Sequence, residues 1–222
     1  MRAARRYARV VVYDGAGLFS AARAWWMFKA FGHAKVAVLD GGMPSWEREG
    51  GDVDDAPVDH EAVAAGAAAA AAPPASTSYK ATLDPRLVRS KADVLAKCVG
   101  ADASERLVDA RPRPRWAGEA PEPRPGIRSG RVPGSSCVPF FDLLNEDKTY
   151  KSASDIVAVF KDAGVDLADA SSPIVMSCGT GVTACVLALG AEIAGRSGIP
   201  VYDGSWTEWG AEQSGCPVDG KA

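Results

Sequence analysis

The chain has 222 residues, of which 47% are hydrophobic and 24% are charged, and its formal net charge at pH 7 is −3. These values are typical of one large or two modest globular domains, and they give no bulk attraction to nucleic acid or to an anionic membrane. No apolar run approaches the roughly 18–20 residues of a membrane span, and no secretory cleavage pattern is visible. The composition therefore predicts no nucleic-acid partner and no membrane.

The first elements in chain order predict a strand, a helix and a second strand. Residues 10–13 are typical of a buried strand, and residues 20–31 form an apolar helix that Gly32 ends. The segment KVAVLDGG then predicts a second strand and turn. This order favours an α/β fold with a parallel sheet, here within a partial domain over residues 1–51.

Residues 52–79 are rich in alanine and proline and predict a low-complexity linker. From residue 80 to residue 219 the chain again has the patterns of a globular domain. In chain order these predict a helix over 87–99, a strand over 106–111, a long loop over 111–135, a serine-capped helix over 152–165, a strand over 172–178, a helix over 184–195 and a strand over 199–204.

The two regions contain an internal repeat. When Asp14 is aligned with Cys178, VVYDGAG matches IVMSCGTG, and LDGGMPSW matches YDGSWTEW further along each copy. We call residues 1–51 the first copy and residues 80–219 the second copy. One α/β unit has been duplicated, and only the second copy carries a thiol at the turn.

The copies are unequal in length before this turn. Leu83 lies 95 residues before Cys178, whereas only 13 residues precede Asp14, so about 80 residues of the first copy have no counterpart. The apolar cluster Trp25–Trp26–Met27–Phe28 then packs on the second copy, belongs to a poorly ordered unit, or marks a truncated chain. We favour truncation.

Cysteine and histidine usage limits the chemistry. The five cysteines are widely spaced without a CxxC pair, which argues against a disulfide scaffold or a zinc site and favours a reducing compartment. The two histidines, His33 and His60, both lie in the first 60 residues, which argues against a catalytic Cys–His dyad. We predict no metal or cofactor and a mitochondrial or cytoplasmic protein; the arginine-rich start is a transit peptide or a ragged chain start.

Cys178 begins a loop, Gly179, Thr180, Gly181, Val182 and Thr183, between a predicted strand and a predicted helix. Backbone N–H groups in such a loop converge on the cysteine sulfur, and the helix N-terminus adds partial positive charge. Both favour a thiolate without a histidine, so we predict a nucleophile. The alternative is a buried structural cysteine, which is our interpretation of Cys185.

A phosphatase loop of the C-x5-R type is excluded, because its phosphate-binding arginine belongs six residues after the cysteine, where this chain has Ala184.

The segments SCGTGVTACVLALG, VYDGSWTEW and EPRPGIRSGRVPGS, with VVVYDGAGLFSAARAWWMFKAFGH and VAVLDGG in the first copy, resemble the rhodanese superfamily and, more closely, its two-domain 3-mercaptopyruvate sulfurtransferases. The resemblance implies a parallel sheet with helices on both faces, in a complete C-terminal domain beside a partial N-terminal copy. It also implies that Cys178 takes sulfur from 3-mercaptopyruvate as a persulfide and passes it to cyanide or to a thiol acceptor such as thioredoxin.

In the family, two arginines bind the substrate carboxylate; they correspond to Arg115 in PRW and Arg124 in PEPR. Arg131 stands where the family usually has histidine, so we expect altered hydrogen bonding there. The acidic residue and histidine that assist proton transfer in the family have no match in this chain. Thiosulfate specificity, a catalytically impaired form and a non-catalytic binding module remain alternatives.

Overall fold

The computed structural model of the protein describes residues 9–57, 61 and 80–220. Most of the predicted linker, together with His60, lies outside the described residues. Within the described part, no helix is both long enough and apolar enough to span a bilayer.

The first copy forms two parallel strands with two helices. In chain order its elements are β1 (Val10–Val12), α1 (Ala21–Ala30), β2 (Val36–Val38) and α2 (Gly42–Arg48). Strands β1 and β2 pair in parallel, with Val10 opposite Val36. Gly32 has φ +85° and its N–H bonds to the carbonyl of Lys29, which confirms the predicted end of the helix.

The second copy forms a five-stranded parallel sheet in the order β3-β7-β6-β4-β5. Its elements are β3 (Val88–Arg89), α3 (Lys91–Lys97), β4 (Arg106–Asp109), α4 (Arg113–Ala117), β5 (Ser136–Cys137), α5 (Ala153–Asp162), β6 (Ile174–Ser177), α6 (Ala184–Ile193), β7 (Val201–Tyr202) and α7 (Ser205–Trp209). Short 3-10 turns lie at Pro85–Leu87, Phe140–Leu143 and Glu212–Ser214.

Helices cover both faces of this sheet, as the predicted fold class requires. On one face Val108 and Met176 join the larger core with residues of α1, α5 and α6. On the other face Leu107 and Val175 join a smaller core with residues of α3 and α7. Alternate residues of β4 and β6 thus point to opposite, buried faces, which is why these strands read as continuous apolar runs.

The first copy packs on the second through α1, which lies against α6. Trp25 and Trp26 are buried in this contact, whereas Met27 on the same helix remains exposed. Lys29 adds an ion pair to Glu192 at 3.0 Å. Of the three outcomes considered for the apolar cluster, its tryptophans therefore pack on the second copy.

Three local details differ from the sequence-based boundaries. The sequence predicts one helix over 87–99, but the first part of this segment forms strand β3. Helix α3 begins only after Ser90, which caps it and forms a reciprocal capping box with Asp93. The predicted loop over 111–135 contains the short helix α4. Strand β5, only Ser136–Cys137, was not predicted because two residues carry no periodicity.

Candidate functional site

Cys178 follows the last residue of β6 and is only 2% exposed. Its backbone N–H donates to the hydroxyl of Ser205 at 3.2 Å, and its carbonyl accepts the N–H of Trp206 at 3.0 Å. Ser205 has a left-handed φ of +50° and donates its own hydroxyl to the carbonyl of Tyr202. The first residues of α7 therefore hold the backbone of Cys178 through two hydrogen bonds.

The loop after Cys178 leaves its backbone donors unused. Within the described residues, no acceptor is hydrogen-bonded to the backbone N–H groups of residues 179–184. A run of unpaired backbone N–H groups before a helix attracts an anion. The loop thus presents a run of backbone donors that no acceptor among the described residues takes.

The Asp14 loop of the first copy has the same backbone plan with its acceptor in place. The carboxylate of Asp14 accepts four backbone N–H groups, those of Ala16 at 3.0 Å, Phe19 at 2.9 Å, Ser20 at 2.8 Å and Ala21 at 2.8 Å. Burial opposes ionisation of Asp14, but these four donors outweigh it and lower the pKa of the carboxyl group.

The repeat carries these donors over to the second copy at Thr180, Thr183, Ala184 and Cys185. The first three of these N–H groups are among the unused donors, whereas that of Cys185 bonds to the carbonyl of Val182 at 3.2 Å. An acceptor attached to Cys178 therefore has three donors available.

The glycines of the loop keep space for neighbouring groups. Gly181 has φ +79°, and a Cβ there would lie 2.8 Å from the carbonyl oxygen of Asp203 and 3.0 Å from Nη1 of Arg23. A Cβ on Gly179 would lie 3.4 Å from Nη2 of Arg115. Glycine is thus required at 181. At Gly179 the guanidinium of Arg115 lies against the loop.

Arg115 lies on α4, and its guanidinium is held by Glu122 through Nε at 3.2 Å and through Nη2. A quarter of the Arg115 side chain is exposed. Of the two arginines predicted to bind substrate, this one adjoins the cysteine loop. Arg124 is exposed, and no contact in the described part of the chain joins it to the loop.

Arg131, at the position where the family usually has histidine, makes two contacts. Its guanidinium stacks on the ring of Trp116 at 4.4 Å, and its backbone pairs with that of Asp219. Trp116 in turn donates its indole N–H to Ser135 at 3.0 Å. Because Trp116 belongs to α4, the stack links Arg131 to that helix.

Cys185 lies in the first turn of α6, and its Sγ contacts the carbonyl of Gly181 at 3.2 Å. Burial raises the pKa of its thiol to about 12, so it stays protonated. The described residues contain no group of three or more His, Cys, Asp or Glu side chains that could hold a metal.

Sequence reasoning missed Ser205, Glu122 and Arg23. Ser205 occupies the repeat position of Gly42, whose φ is +58°, so the repeat itself signals an unusual backbone there. Arg23 of the first copy bonds to Asp203 beside Gly181, and no sequence pattern joins residues so far apart in the chain. Glu122 lies in the proline-rich loop, where its partners depend on the folded path.

Comparison with known proteins places these features in a family. The family model described as "Rhodanese-like domain" matches residues 1–49 and 91–212. The chain is 43% identical over 217 residues to thiosulfate/3-mercaptopyruvate sulfurtransferase 1, mitochondrial, of Arabidopsis thaliana, covering 95% of this chain and 56% of that protein. It is 40% identical over 202 residues to the human 3-mercaptopyruvate sulfurtransferase, covering 90% of this chain and 62% of that protein.

Among solved structures, SseA from Escherichia coli, described as a 3-mercaptopyruvate sulfotransferase, superposes with a TM-score of 0.71 at 32% identity. The match covers 92% of this chain and 69% of that chain. The chain spans 56% and 62% of the lengths of the plant and human relatives.

Proposed function

We propose, from the premise that this chain belongs to the family of rhodanese-like domains, that it is a sulfurtransferase with Cys178 as the sulfur carrier. In this proposal residues 80–219 form the catalytic domain. Residues 1–51, with Asp14 in place of a cysteine, form a non-catalytic partial domain, and residues 52–79 link the two. The donor is 3-mercaptopyruvate, and the acceptor is a thiol such as that of thioredoxin, or cyanide in an assay.

The transfer balances without an added oxidant, reductant or cofactor. The Cys178 thiolate attacks the sulfur of 3-mercaptopyruvate, an S–S bond forms and the C–S bond breaks. The electron pair of the C–S bond stays on carbon, which takes the proton of the donor thiol and leaves as pyruvate. The acceptor then attacks the outer sulfur of the persulfide and restores the thiolate; cyanide leaves as thiocyanate.

The observation that carries this proposal is the Asp14 loop. The carboxylate oxygens of Asp14 stand two bonds from Cβ, as does the outer sulfur of a cysteine persulfide. Because these oxygens accept four loop N–H groups, an anionic outer sulfur on Cys178 can accept the corresponding donors. The unused N–H groups of 179–184 then stabilise the charge that forms during transfer.

The other loop residues have supporting roles in the proposal. Gly179 and Gly181 allow the tight path, Val182 closes the turn, and the hydroxyls of Thr180 and Thr183 are further donors. Arg115 binds the donor carboxylate beside Gly179, and Arg124 is proposed as a second carboxylate ligand that reaches the substrate when it is bound.

The compartment is proposed to be reducing, mitochondrial or cytoplasmic. All five cysteines lie in the described part of the chain, are buried and form no disulfide. The Arabidopsis relative is named as mitochondrial.

The experiment uses the chain as it is, with 3-mercaptopyruvate and dithiothreitol, and follows pyruvate, sulfide and intact mass. We expect turnover and an added mass of about 32 Da, one sulfur atom, on the protein before the thiol is added. Cys178→Ser abolishes both, while Cys185→Ser, in the first turn of α6, keeps both. Absence of adduct and turnover in the wild-type chain contradicts the proposal and favours an impaired form or a binding module.

Thiosulfate is tested as the competing donor in the same assay. It has no carboxylate for Arg115, so we expect lower kcat/KM with thiosulfate than with 3-mercaptopyruvate. A much higher kcat/KM with thiosulfate refutes the choice of donor but not the persulfide.

A further inference from the structure

Glu122 is a buried carboxylate shared by two arginines. Its side chain is only 4% exposed. Oε1 accepts Nη1 of Arg111 at 2.7 Å and Nε of Arg115 at 3.2 Å, and Oε2 accepts Nη2 of Arg115. Both guanidinium groups compensate this buried carboxylate.

One of its two partners is a rigid anchor. Arg111 is 1% exposed, binds both carboxylate oxygens of Asp109 and donates to the carbonyl of Gly130 at 2.8 Å. Its guanidinium also stacks on the ring of Trp206 at 4.3 Å. Since the backbone N–H of Trp206 bonds to the carbonyl of Cys178, this anchor is continuous with the cysteine loop.

The other partner keeps a free donor edge. Glu122 takes the Nε and Nη2 side of Arg115, and Nη1 of Arg115 has no partner within the described residues. The Nη1–Nη2 edge is the second edge of a guanidinium that can bind a carboxylate with two hydrogen bonds. Nη2 also lies beside Gly179, next to the sulfur carrier.

We infer that Glu122 is a positioning residue: it transfers the rigidity of Arg111 to Arg115 and aims the free edge of Arg115 at the carboxylate of the sulfur donor. This inference rests on the proposed function. Glu122 thereby favours donors with a carboxylate over donors without one, although it does not touch the substrate itself.

The first test compares Glu122→Gln with Glu105→Gln. Glu105 binds Arg89 with two hydrogen bonds at 2.9 and 3.0 Å, so the control also removes one carboxylate charge from a part-buried arginine pair, at the amino end of β4. We expect Glu122→Gln to raise KM for 3-mercaptopyruvate about tenfold, as loss of one well-placed charged hydrogen bond does, with kcat within about twofold. KM for thiosulfate stays at the wild-type value, and Glu105→Gln changes neither KM.

Glu122→Asp supplies the second variant, because it keeps the charge on Arg111 but withdraws the carboxylate by one methylene. It should raise KM for 3-mercaptopyruvate in the same direction, and it decides the question if thermal unfolding shows that Glu122→Gln does not fold. Unchanged KM for 3-mercaptopyruvate, or an equal rise for both donors, overturns the inference.

A binding experiment separates this inference from the proposed function. Ligand-observed NMR follows the methyl signal of pyruvate, which carries the carboxylate but no transferable sulfur. Wild-type chain should bind pyruvate about tenfold more tightly than Glu122→Gln, whether or not it turns over. Equal binding, or no binding to wild type, overturns the role of Glu122, whereas absent turnover with normal pyruvate binding overturns only the proposed function.

Discussion

The Asp14 loop and the Cys178 loop have the same backbone turn, but they differ in whether the backbone N–H groups of the turn are hydrogen-bonded. Asp14 supplies its own acceptor to four N–H groups, whereas the N–H groups of residues 179–184 have no acceptor in the described part of the chain. One turn is closed by its side chain, and the other is open to a group that arrives from outside. The comparison shows how one residue changes a structural turn into a candidate binding turn.

The same contrast extends to the sheet faces around the two turns. Val175 of β6 is fully buried, but its repeat partner Val11 of β1 is 56% exposed. Trp209 of α7 is fully buried, but its partner Trp46 is 43% exposed. The first copy retains, through α1, the side of its sheet that packs on α6. Within the described residues, no helix equivalent to α3 covers the opposite face of that sheet.

The largest effect is expected from Cys178→Asp, which turns the open loop into the closed one. Sulfur transfer is lost completely, because no nucleophile remains. The new carboxylate accepts the unused N–H groups, so the free energy of unfolding at pH 7 should exceed that of Cys178→Ser by about 1–2 kcal/mol. Chemical denaturation of both variants measures the difference.

The pH dependence of that difference follows the direction seen for Asp14. A carboxyl group whose pKa is lowered in the folded state stabilises above its unfolded pKa, about 3.9, and loses this contribution as pH falls through its folded value. The advantage of Cys178→Asp over Cys178→Ser should therefore shrink below about pH 4. A difference that is constant with pH contradicts a carboxylate in the loop.

Gly181→Ala is expected to have the next largest effect. Its Cβ would meet the carbonyl of Asp203 at 2.8 Å in a left-handed backbone, so the loop must shift, and we expect a loss of about 1–3 kcal/mol in stability. Turnover should fall at least tenfold if the loop donors act on the transferred sulfur. Gly15→Ala is the control in the other loop, since a Cβ there would meet no atom within 4 Å apart from its chain neighbours.

Asp14→Ala opens the closed loop without a replacement. Loss of the carboxylate leaves four N–H groups without their acceptor, and the expected cost is about 1–2 kcal/mol of unfolding free energy, as for a lost N-cap. Urea denaturation at pH 7 measures it. Wild-type stability in this variant would show that water replaces the carboxylate without penalty.

The smallest effect is expected from Arg23→Gln, which breaks the ion pair that joins the two copies beside Gly181. Half of the Asp203 side chain is exposed, so the pair is screened and its contribution is about 0.2–1 kcal/mol. A double-mutant cycle with Asp203→Asn isolates the coupling between the two side chains. A coupling energy near zero would mean that this ion pair does not help to hold α1 on the second copy.

Much of the fold was predictable from sequence because its signals are local. The apolar run at Ile174–Ser177, the glycine after α1 and the serine before α5 each specify an element from neighbouring residues. The repeat placed Asp14 and Cys178 at equivalent turns. Strands β3 and β5 were missed, because two-residue strands have no period and are set by pairing with β7 and β4.

The candidate site was predictable only in part. The cysteine loop is contiguous in sequence, and its chemistry follows from the order of strand, glycine turn and helix. Two other contacts depend on how distant segments of the chain meet in the fold. These are the binding of Arg111 and Arg115 by Glu122, and the hydrogen bond from the backbone N–H of Cys178 to the Ser205 hydroxyl. Roles for Cys178, Arg115 and Arg124 in sulfur transfer stay predictions that the experiments above address.

The unused N–H groups of residues 179–184 also couple the stability of the fold to the sulfur that Cys178 carries in our proposal. If a sulfur anion on Cys178 binds them only in the folded chain, loading is thermodynamically equivalent to binding a stabilising ligand. The loaded protein then unfolds at a higher temperature than the empty one, and each sulfur that leaves returns the chain to its less stable form. The melting temperature becomes a direct measure of how much of the protein carries sulfur.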